Sequence, residues 1–81
     1  MLYLKKKEIT KNRVTYYYQP NKKGKFGILS YDPKNDLLII EELAEGDYDQ
    51  PINSYKMHAY NQLCRFYENN EYPEEKTIKW G

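Results

Sequence analysis

The chain has one histidine, His58, and one cysteine, Cys64, and both fall where a helix is predicted. A catalytic histidine needs a positioned acidic partner, but none of the residues one helical turn from His58 is acidic. Cys64 lies well past the helix N-terminus, where no helix dipole favours a thiolate. A separation of six residues also places the two on opposite sides of a helix. We therefore expect a surface histidine and a packed cysteine, with no catalytic pair.

An acidic run is the second candidate for chemistry. Five carboxylates fall within nine residues: Glu41, Glu42, Glu45, Asp47 and Asp49. Hard cations bind clustered oxygen ligands, but the spacing lacks the alternating acids, central glycine and distal glutamate of a calcium loop. We expect a solvated acidic loop that binds no metal and could dock a basic partner. Glycine-rich phosphate loops, metal-binding Cys/His spacings and Ser/His/Asp sets are absent from the sequence, so it predicts a protein that is not an enzyme and carries no cofactor.

A basic, tyrosine-rich stretch near the N-terminus is the best candidate for binding. Cations that contact phosphates and aromatic rings that stack on bases are the two components of a nucleic-acid platform. Against this role stand the near-neutral total charge and the presence of only two arginines. The candidate binding surface comprises Arg13, Tyr16, Tyr17, Tyr18, Lys22, Lys23 and Lys25.

The same tyrosines also suit protein recognition, because tyrosine offers a large contact area and a polar tip. Ten tyrosines in 81 residues are too many to fill one small core. The favoured hypothesis is a protein-interaction module that binds a protein partner or a second copy of itself through an exposed sheet face or edge. Nucleic-acid binding by the basic hairpin is the alternative.

Composition bounds these hypotheses. A chain of 81 residues with 40% hydrophobic residues predicts one domain, residues 1–81, with a modest core. A single cysteine cannot form an internal disulfide, which fits a reducing compartment, so we expect a cytoplasmic protein. No apolar run approaches the length of a membrane span, so we expect no membrane contact. Residues 1–31 carry a net charge of +7 and residues 32–81 a net of −6. This asymmetry can mark a polyanion-binding end, but AT-rich coding gives the same pattern without selection for binding and is the favoured explanation.

A single long helix organises the prediction. Advancing 100° per residue from Ser54 to Asn69 separates an apolar half from a polar half, as expected for a helix that packs on a sheet. Asn53 or Ser54 is expected to cap its start, and Asn69 or Asn70 to end it in the left-handed conformation. The apolar half holds Tyr55, Ala59, Tyr60, Leu63, Cys64, Phe66 and Tyr67.

Two hairpins supply most of the sheet. Residues 2–9 and 14–19 predict the first, in a register that places Lys5 opposite Tyr18 and Lys7 opposite Tyr16. Residues 25–31 and 37–43 predict the second, around a turn at residues 32–36 in which Asn35 supplies the bulge and Asp32 lies opposite Asp36. This register places Leu37 and Ile39 on the same face as Leu29 and Tyr31. Both faces of this second hairpin are apolar, so its strands are expected to be central and covered on both sides.

Residues 76–80 alternate as a short last strand. The fold class that follows is α+β, with a mostly antiparallel sheet of four to five strands in the order β-β-β-β-α-β and one helix across one face. The helix leaves the second face of the sheet without an assigned cover.

Overall fold

The computed structural model describes residues 1–45 and 54–79 and has the predicted α+β order. All strand pairs are antiparallel, and the five strands lie side by side in the order β4-β3-β2-β1-β5. The elements are β1 (Leu2–Thr10), β2 (Arg13–Pro20), β3 (Gly27–Asp32), β4 (Leu37–Glu42), α1 (Ser54–Asn69) and β5 (Glu75–Ile78).

Helix α1 has the predicted bounds, and its C-terminus shows why it stops. Asn70 takes a left-handed conformation with φ 53°. Its N–H donates to the Tyr67 carbonyl at 3.2 Å, and the Glu71 N–H donates to the Phe66 carbonyl at 3.1 Å. These two bonds form a Schellman motif, which satisfies carbonyl groups that the helix itself leaves unpaired. The predicted N-terminal cap lies outside the described residues.

The core lies between one face of α1 and one face of the sheet, which we call the covered face. Tyr55, Ala59, Leu63 and Phe66 supply the helix side and are all buried, as the helical spacing predicts. Each fully buried large apolar side chain contributes about 1.5–3 kcal/mol relative to an exposed one, so this interface is the main source of stability. The sheet side consists of Leu2, Leu4, Val14, Tyr16, Tyr18, Leu29 and Tyr31, with Leu38, Ile40 and Ile78 partly buried around them.

The first hairpin departs from the predicted register because β1 has an irregularity at Lys7. Glu8 lies opposite Thr15 as predicted, but the register shifts between Lys6 and Glu8. Beyond this bulge Lys5 lies opposite Tyr17, rather than opposite Tyr18. A bulge adds one residue to one strand, so every pairing on its far side moves by one position.

The second hairpin is also shifted by one residue from the prediction. Asp32 lies opposite Leu37, not Asp36, and the residue with positive φ in the turn is Asp36 (φ 52°) rather than Asn35. The Asp32 carboxylate accepts the Lys34 N–H at 3.0 Å, which closes the turn. The shift places Leu38, not Leu37, on the covered face.

The expectation of two central strands is wrong for β4, which is an edge strand. Of the two strands of this hairpin, β3 has a neighbour on both sides, namely β2 and β4, whereas β4 pairs only with β3. Leu37 is 53% exposed as a consequence, and Leu43, just past the end of β4, is 49% exposed. The run Leu37–Ile40 is apolar but does not form a doubly covered strand.

Gly27, the first residue of β3, packs closely against the core. A Cβ atom at Gly27 would lie 2.4 Å from the Ala44 nitrogen, 2.4 Å from a ring carbon of Tyr18 and 2.5 Å from the Glu42 carbonyl oxygen. The Tyr18 ring crosses β3 at this point and its hydroxyl accepts the Ala44 N–H at 3.0 Å. Glycine is required here because no side chain fits between the ring and the backbone.

The one helix in the described part of the chain is too short and too polar to cross a membrane.

Candidate functional site

The three consecutive tyrosines of β2 lie on opposite faces of the sheet. Tyr16 and Tyr18 point to the covered face and are completely buried, whereas Tyr17 lies on the other face, here called the open face, and is half-buried. Successive strand residues alternate between faces, so no register allows all three to share a surface. Tyr16 and Tyr18 were predicted to belong to the binding surface, and their burial removes them from it.

The two buried tyrosines have hydroxyl partners in the core. The Tyr16 hydroxyl donates to the Pro73 carbonyl at 2.7 Å, which ties the segment before β5 to the middle of the sheet. Burial, assisted by the negative charge of Glu74, raises the pKa of Tyr16 far above its ordinary value. Such bonds satisfy polar atoms that would otherwise be costly to bury, and they identify both residues as structural.

On the open face Tyr17 belongs to an aromatic cluster with Tyr3 and Phe26. The ring centroids of Tyr3 and Phe26 lie 5.9 Å apart at an interplanar angle of 69°. Those of Tyr17 and Phe26 lie 6.3 Å apart at 85°. Tyr3 comes from β1, Tyr17 from β2 and Phe26 from the residue before β3, so the cluster spans three neighbouring strands. All three rings remain partly accessible to solvent.

Three lysines surround these rings. The Lys7 Nζ lies 5.9 Å from the Tyr17 ring centroid, and the Lys22 Nζ lies 5.4 Å from the Tyr3 ring centroid. Lys5 is directly opposite Tyr17 across the β1–β2 pair. Cations over ring faces are attracted by the ring quadrupole, which holds these flexible side chains near the aromatic cluster. The open-face cluster consists of Tyr3, Lys5, Lys7, Tyr17, Lys22 and Phe26.

Within the described residues, the lysines of the open-face cluster form no ion pair with a carboxylate, a property they share with Lys11, Lys23, Lys34 and Lys76. Within residues 1–45 and 54–79, the ion pairs join Lys6 to Glu74 (3.0 Å), Arg13 to Glu41 (3.7 Å) and Lys25 to Glu42 (3.2 Å). None of these pairs involves a lysine of the cluster. The cluster is therefore positively charged, and Glu75, opposite Lys5 across the β1–β5 pair, is the carboxylate that borders it.

The remaining predicted site residues fall into two groups. Arg13 donates to the Ser30 hydroxyl at 3.2 Å, and that hydroxyl donates to Glu41 at 2.6 Å, so Arg13 belongs to a local network. Lys25 is neutralised by Glu42. Lys22 is brought to the aromatic cluster, and Lys23 is exposed in the same turn.

Acidic residues border the open-face cluster at one side. The Tyr3 hydroxyl donates a short hydrogen bond to the Glu75 carboxylate, and this bond raises the pKa of Tyr3. Glu75 fixes the Tyr3 ring through its hydroxyl while the ring face stays available. Its negative charge also limits how far a polyanion can extend over β5, so the attractive surface is centred on β1 and β2.

A second group of polar side chains lies where the β3–β4 turn meets α1. The Asp36 carboxylate accepts hydrogen bonds from the Tyr60 hydroxyl at 2.6 Å and from the Tyr31 hydroxyl at 2.8 Å. The two bonds lower the pKa of Asp36, the Tyr60 bond most. Cys64 is half-buried beside the two tyrosines. This Asp36 clamp fastens the β3–β4 turn to the helix, a structural task.

The acidic run gives no metal site in the described residues. Glu41 and Glu42 are engaged by Arg13 and Lys25, and a Glu45 oxygen accepts the Lys25 N–H at 2.8 Å. Asp47 and Asp49 lie outside the described part. Among residues 1–45 and 54–79 there is no group of three His, Cys, Asp or Glu side chains placed to hold a metal ion.

The described part of the surface includes two clefts. A cleft of about 330 Å³ opens on the open face between Lys5, Tyr17 and Phe26. A larger one of about 680 Å³ lies between the C-terminal half of α1 and the segment that leads into β5. Its charged lining residues are Arg65, Glu71, Glu75 and Lys76, and they balance each other. The smaller cleft differs in being lined by two aromatic rings and a lysine, with no acidic residue in its lining.

The predicted binding surface includes Tyr17 and Lys22 of the open-face cluster but lacks Tyr3, Lys5, Lys7 and Phe26. The signal for Tyr3 was its position two residues before Lys5 in the same strand, which places both on one face. Phe26 had no comparable signal, because its position depends on the turn that ends at Gly27. The Lys7 bulge also decided which tyrosine faces Lys5, and the sequence does not mark it.

No protein-family model, curated protein or solved structure matches the chain.

Proposed function

We propose that the protein is a non-enzymatic nucleic-acid-binding module that uses the open-face cluster as its contact surface. The observation that carries this proposal is the placement of three lysines without carboxylate partners around three accessible aromatic rings. Neither component would suffice alone, since exposed lysines and tyrosines are common on small domains.

The lysines and the aromatic residues contribute different interactions with a nucleic acid. Lysines that neutralise phosphates release condensed counterions, which gives affinity without sequence preference. Aromatic rings stack on bases whatever their identity, because every base has a π-face. A cluster with only three free lysines should bind weakly, with a Kd on the order of 1–100 μM at physiological salt.

The test is a titration of fluorescein-labelled twelve-residue DNA and RNA strands, read by fluorescence anisotropy between 20 and 200 mM salt. The variant K5Q/K7Q/K22Q removes the three cluster lysines. The matched control K11Q/K34Q/K76Q removes three exposed lysines that lie elsewhere. Both variants have the same net charge, so a difference between them reports position rather than total charge.

We expect the cluster variant to lose most of its affinity and the control to stay within about threefold of wild type. Each phosphate contact adds about 0.7 to the salt slope for a single strand, so three lost contacts should lower the slope by roughly 2. Equal losses in both variants would contradict the site. An absence of binding by the wild-type protein at 20 mM salt would contradict the function.

Self-association is the second candidate, and a specific observation favours it. The edge strand β4 carries exposed Leu37 and half-buried Ile39, and Leu43 extends the apolar surface beyond it. Edge strands with apolar side chains pair readily with another chain. A register shift in β4 at Glu41 shortens the regular part of this edge to Leu37–Ile40, which weakens such pairing.

Sedimentation velocity from 10 μM to 1 mM tests this candidate. If two copies pair through β4, the sedimentation coefficient rises with concentration, and Ile39→Lys abolishes the rise. A constant monomeric value over the whole range would eliminate self-association and leave the nucleic-acid proposal untouched.

A further inference from the structure

We infer that the cleft between Tyr17 and Phe26 takes one unpaired base, so that the protein binds single strands in preference to duplexes. This inference rests on the proposed function and names the form of nucleic acid that the open-face cluster recognises. It depends on the shape of the cleft rather than on the charge of its surroundings.

The cleft has the dimensions and the walls for a planar group. It is a shallow, open cleft of about 330 Å³ lined by Lys5, Tyr17 and Phe26, so it can hold a planar group against a ring without enclosing it. The Tyr17 and Phe26 rings stand almost perpendicular, at 85°, with centroids 6.3 Å apart. A base placed flat against one ring meets the other edge-on, and both arrangements are favourable for aromatic pairs.

The third lining residue excludes the other common ligand of an aromatic corner. Aromatic cages bind quaternary or methylated ammonium groups through cation–π attraction. Here Lys5 lines the cleft and the Lys7 Nζ already lies 5.9 Å from the Tyr17 ring centroid. A cationic ligand would meet two positive charges, whereas the phosphate attached to a base would be attracted by both.

A duplex cannot use this cleft without breaking its base pairs. Its bases are stacked inside the helix, and only their edges and the phosphates reach the surface. Tyr3 lies beside Phe26, with ring centroids 5.9 Å apart, and offers a second stacking surface to the next base of a single strand. The lysines alone would bind both forms, so the rings are the source of discrimination.

The experiment compares four ligands on the wild-type protein at 50 mM salt: a ten-residue thymidine strand, an abasic strand of the same length, a duplex and thymidine monophosphate. The abasic strand keeps every phosphate and removes every base. One stacked base corresponds to a gain of about tenfold in affinity. We expect the intact strand to bind at least tenfold more tightly than the abasic strand, the duplex and the mononucleotide.

Two variants locate the effect. Phe26→Leu and Tyr17→Leu keep apolar volume and remove one ring each, and we expect each to bring the intact and abasic strands to the same affinity. Tyr67→Leu, which removes an exposed ring from α1, is the matched control and should preserve the difference.

The outcomes separate this inference from the function on which it rests. Equal, salt-sensitive binding of intact strand, abasic strand and duplex would overturn the base cleft and leave nucleic-acid binding in place. Mononucleotide binding as tight as that of the strand would overturn strand recognition. Failure of every ligand to bind would overturn both. The wild-type comparison needs no variant, so poor folding of a substituted protein cannot obscure the result.

Discussion

The two faces of this sheet use the same residue type for different purposes. On the covered face, Tyr16 and Tyr18 are completely buried and their hydroxyls are bonded to backbone groups. On the open face, Tyr17 is accessible, has Lys7 near its ring and forms one wall of a cleft. Three adjacent tyrosines therefore divide between stability and recognition according to the alternation of the strand.

In a tyrosine-rich strand, the position of each tyrosine relative to the two sheet faces determines its role. The number of tyrosines does not show how many are available for binding, because the strand register decides which face each ring occupies. On the covered face each ring is surrounded by apolar neighbours, so its removal leaves a cavity. On the open face removal leaves solvent, and the effect should appear in binding instead.

The largest expected effect separates the two faces directly. Tyr18→Ala should lower the free energy of unfolding by about 3–5 kcal/mol, because it creates a cavity in the core. Tyr17→Ala should lower it by less than about 1 kcal/mol, as is usual for partly exposed positions. Urea denaturation measures both. Tyr18→Phe is the control for the hydroxyl alone, at about 1 kcal/mol. Equal losses at positions 17 and 18 would contradict the assignment of faces.

Gly27→Ala should disturb the packing of the covered face around Tyr18. The new Cβ meets backbone atoms of Glu42 and Ala44 as well as the Tyr18 ring, so no side-chain movement relieves the overlap. We expect a loss of about 3 kcal/mol in the free energy of unfolding. Gly24→Ala is the comparison: its cost comes from positive φ and contact with a flexible glutamate, and should be about 1–2 kcal/mol. A Gly27→Ala protein as stable as wild type would show that β3 and Ala44 are not packed in this way.

The Asp36 clamp predicts a pH dependence that belongs to the covered face. Hydrogen bonds from Tyr60 and Tyr31 lower the pKa of Asp36 in the folded state. Its contribution to stability is therefore present above the ordinary carboxyl pKa of about 3.9 and is lost as the pH falls through the folded value. The pKa values of both tyrosines are raised, so their contribution is present below about pH 10 and is lost at higher pH.

Urea midpoints of wild type and Asp36→Asn between pH 2.5 and 7 test this clamp. The variant should be less stable at pH 7. The difference should shrink as the pH falls below about 4, where the carboxyl of the unfolded chain takes up a proton first, and should be lost at lower pH, where the folded carboxylate is protonated too. Glu68→Gln, which removes an exposed carboxylate of α1, is the control and should not change the profile. A constant difference across this range would contradict a role for the Asp36 charge.

The smallest expected effect on stability comes from the open-face lysines. K5Q/K7Q/K22Q should change the free energy of unfolding by no more than about 1 kcal/mol, which covers the two exposed cation–π contacts. The same variant should lose nucleic-acid affinity. A large loss of stability would mean that these lysines serve the fold and would remove the contrast between the faces.

Periodicity was sufficient to predict the helix and the order of elements. The spacing of Tyr55, Ala59, Leu63 and Phe66 fixed one side of α1, and a left-handed asparagine at its end was expected from composition. These signals are local, so they survive without knowledge of the rest of the fold.

The strand registers of the two hairpins could not be predicted from the sequence. The composition of the open-face cluster depends on these registers. The Lys7 bulge exchanged the neighbours of Lys5, and the Asp36 turn moved Leu38 rather than Leu37 to the core. Both shifts arise from competition between turn geometry and packing across strands, which no single strand encodes. For the same reason Phe26 was expected in the sheet but not in the binding site.

The most direct test of the account is an amide chemical-shift titration of the labelled protein with a ten-residue thymidine strand. We expect the amide chemical shifts of Tyr3, Lys5, Tyr17 and Phe26 to change progressively as the strand is added. The amide chemical shifts of residues 55–66 in α1 should stay unchanged. Shifts confined to α1 or to the cleft beside β5, or no shifts at millimolar strand, would contradict it.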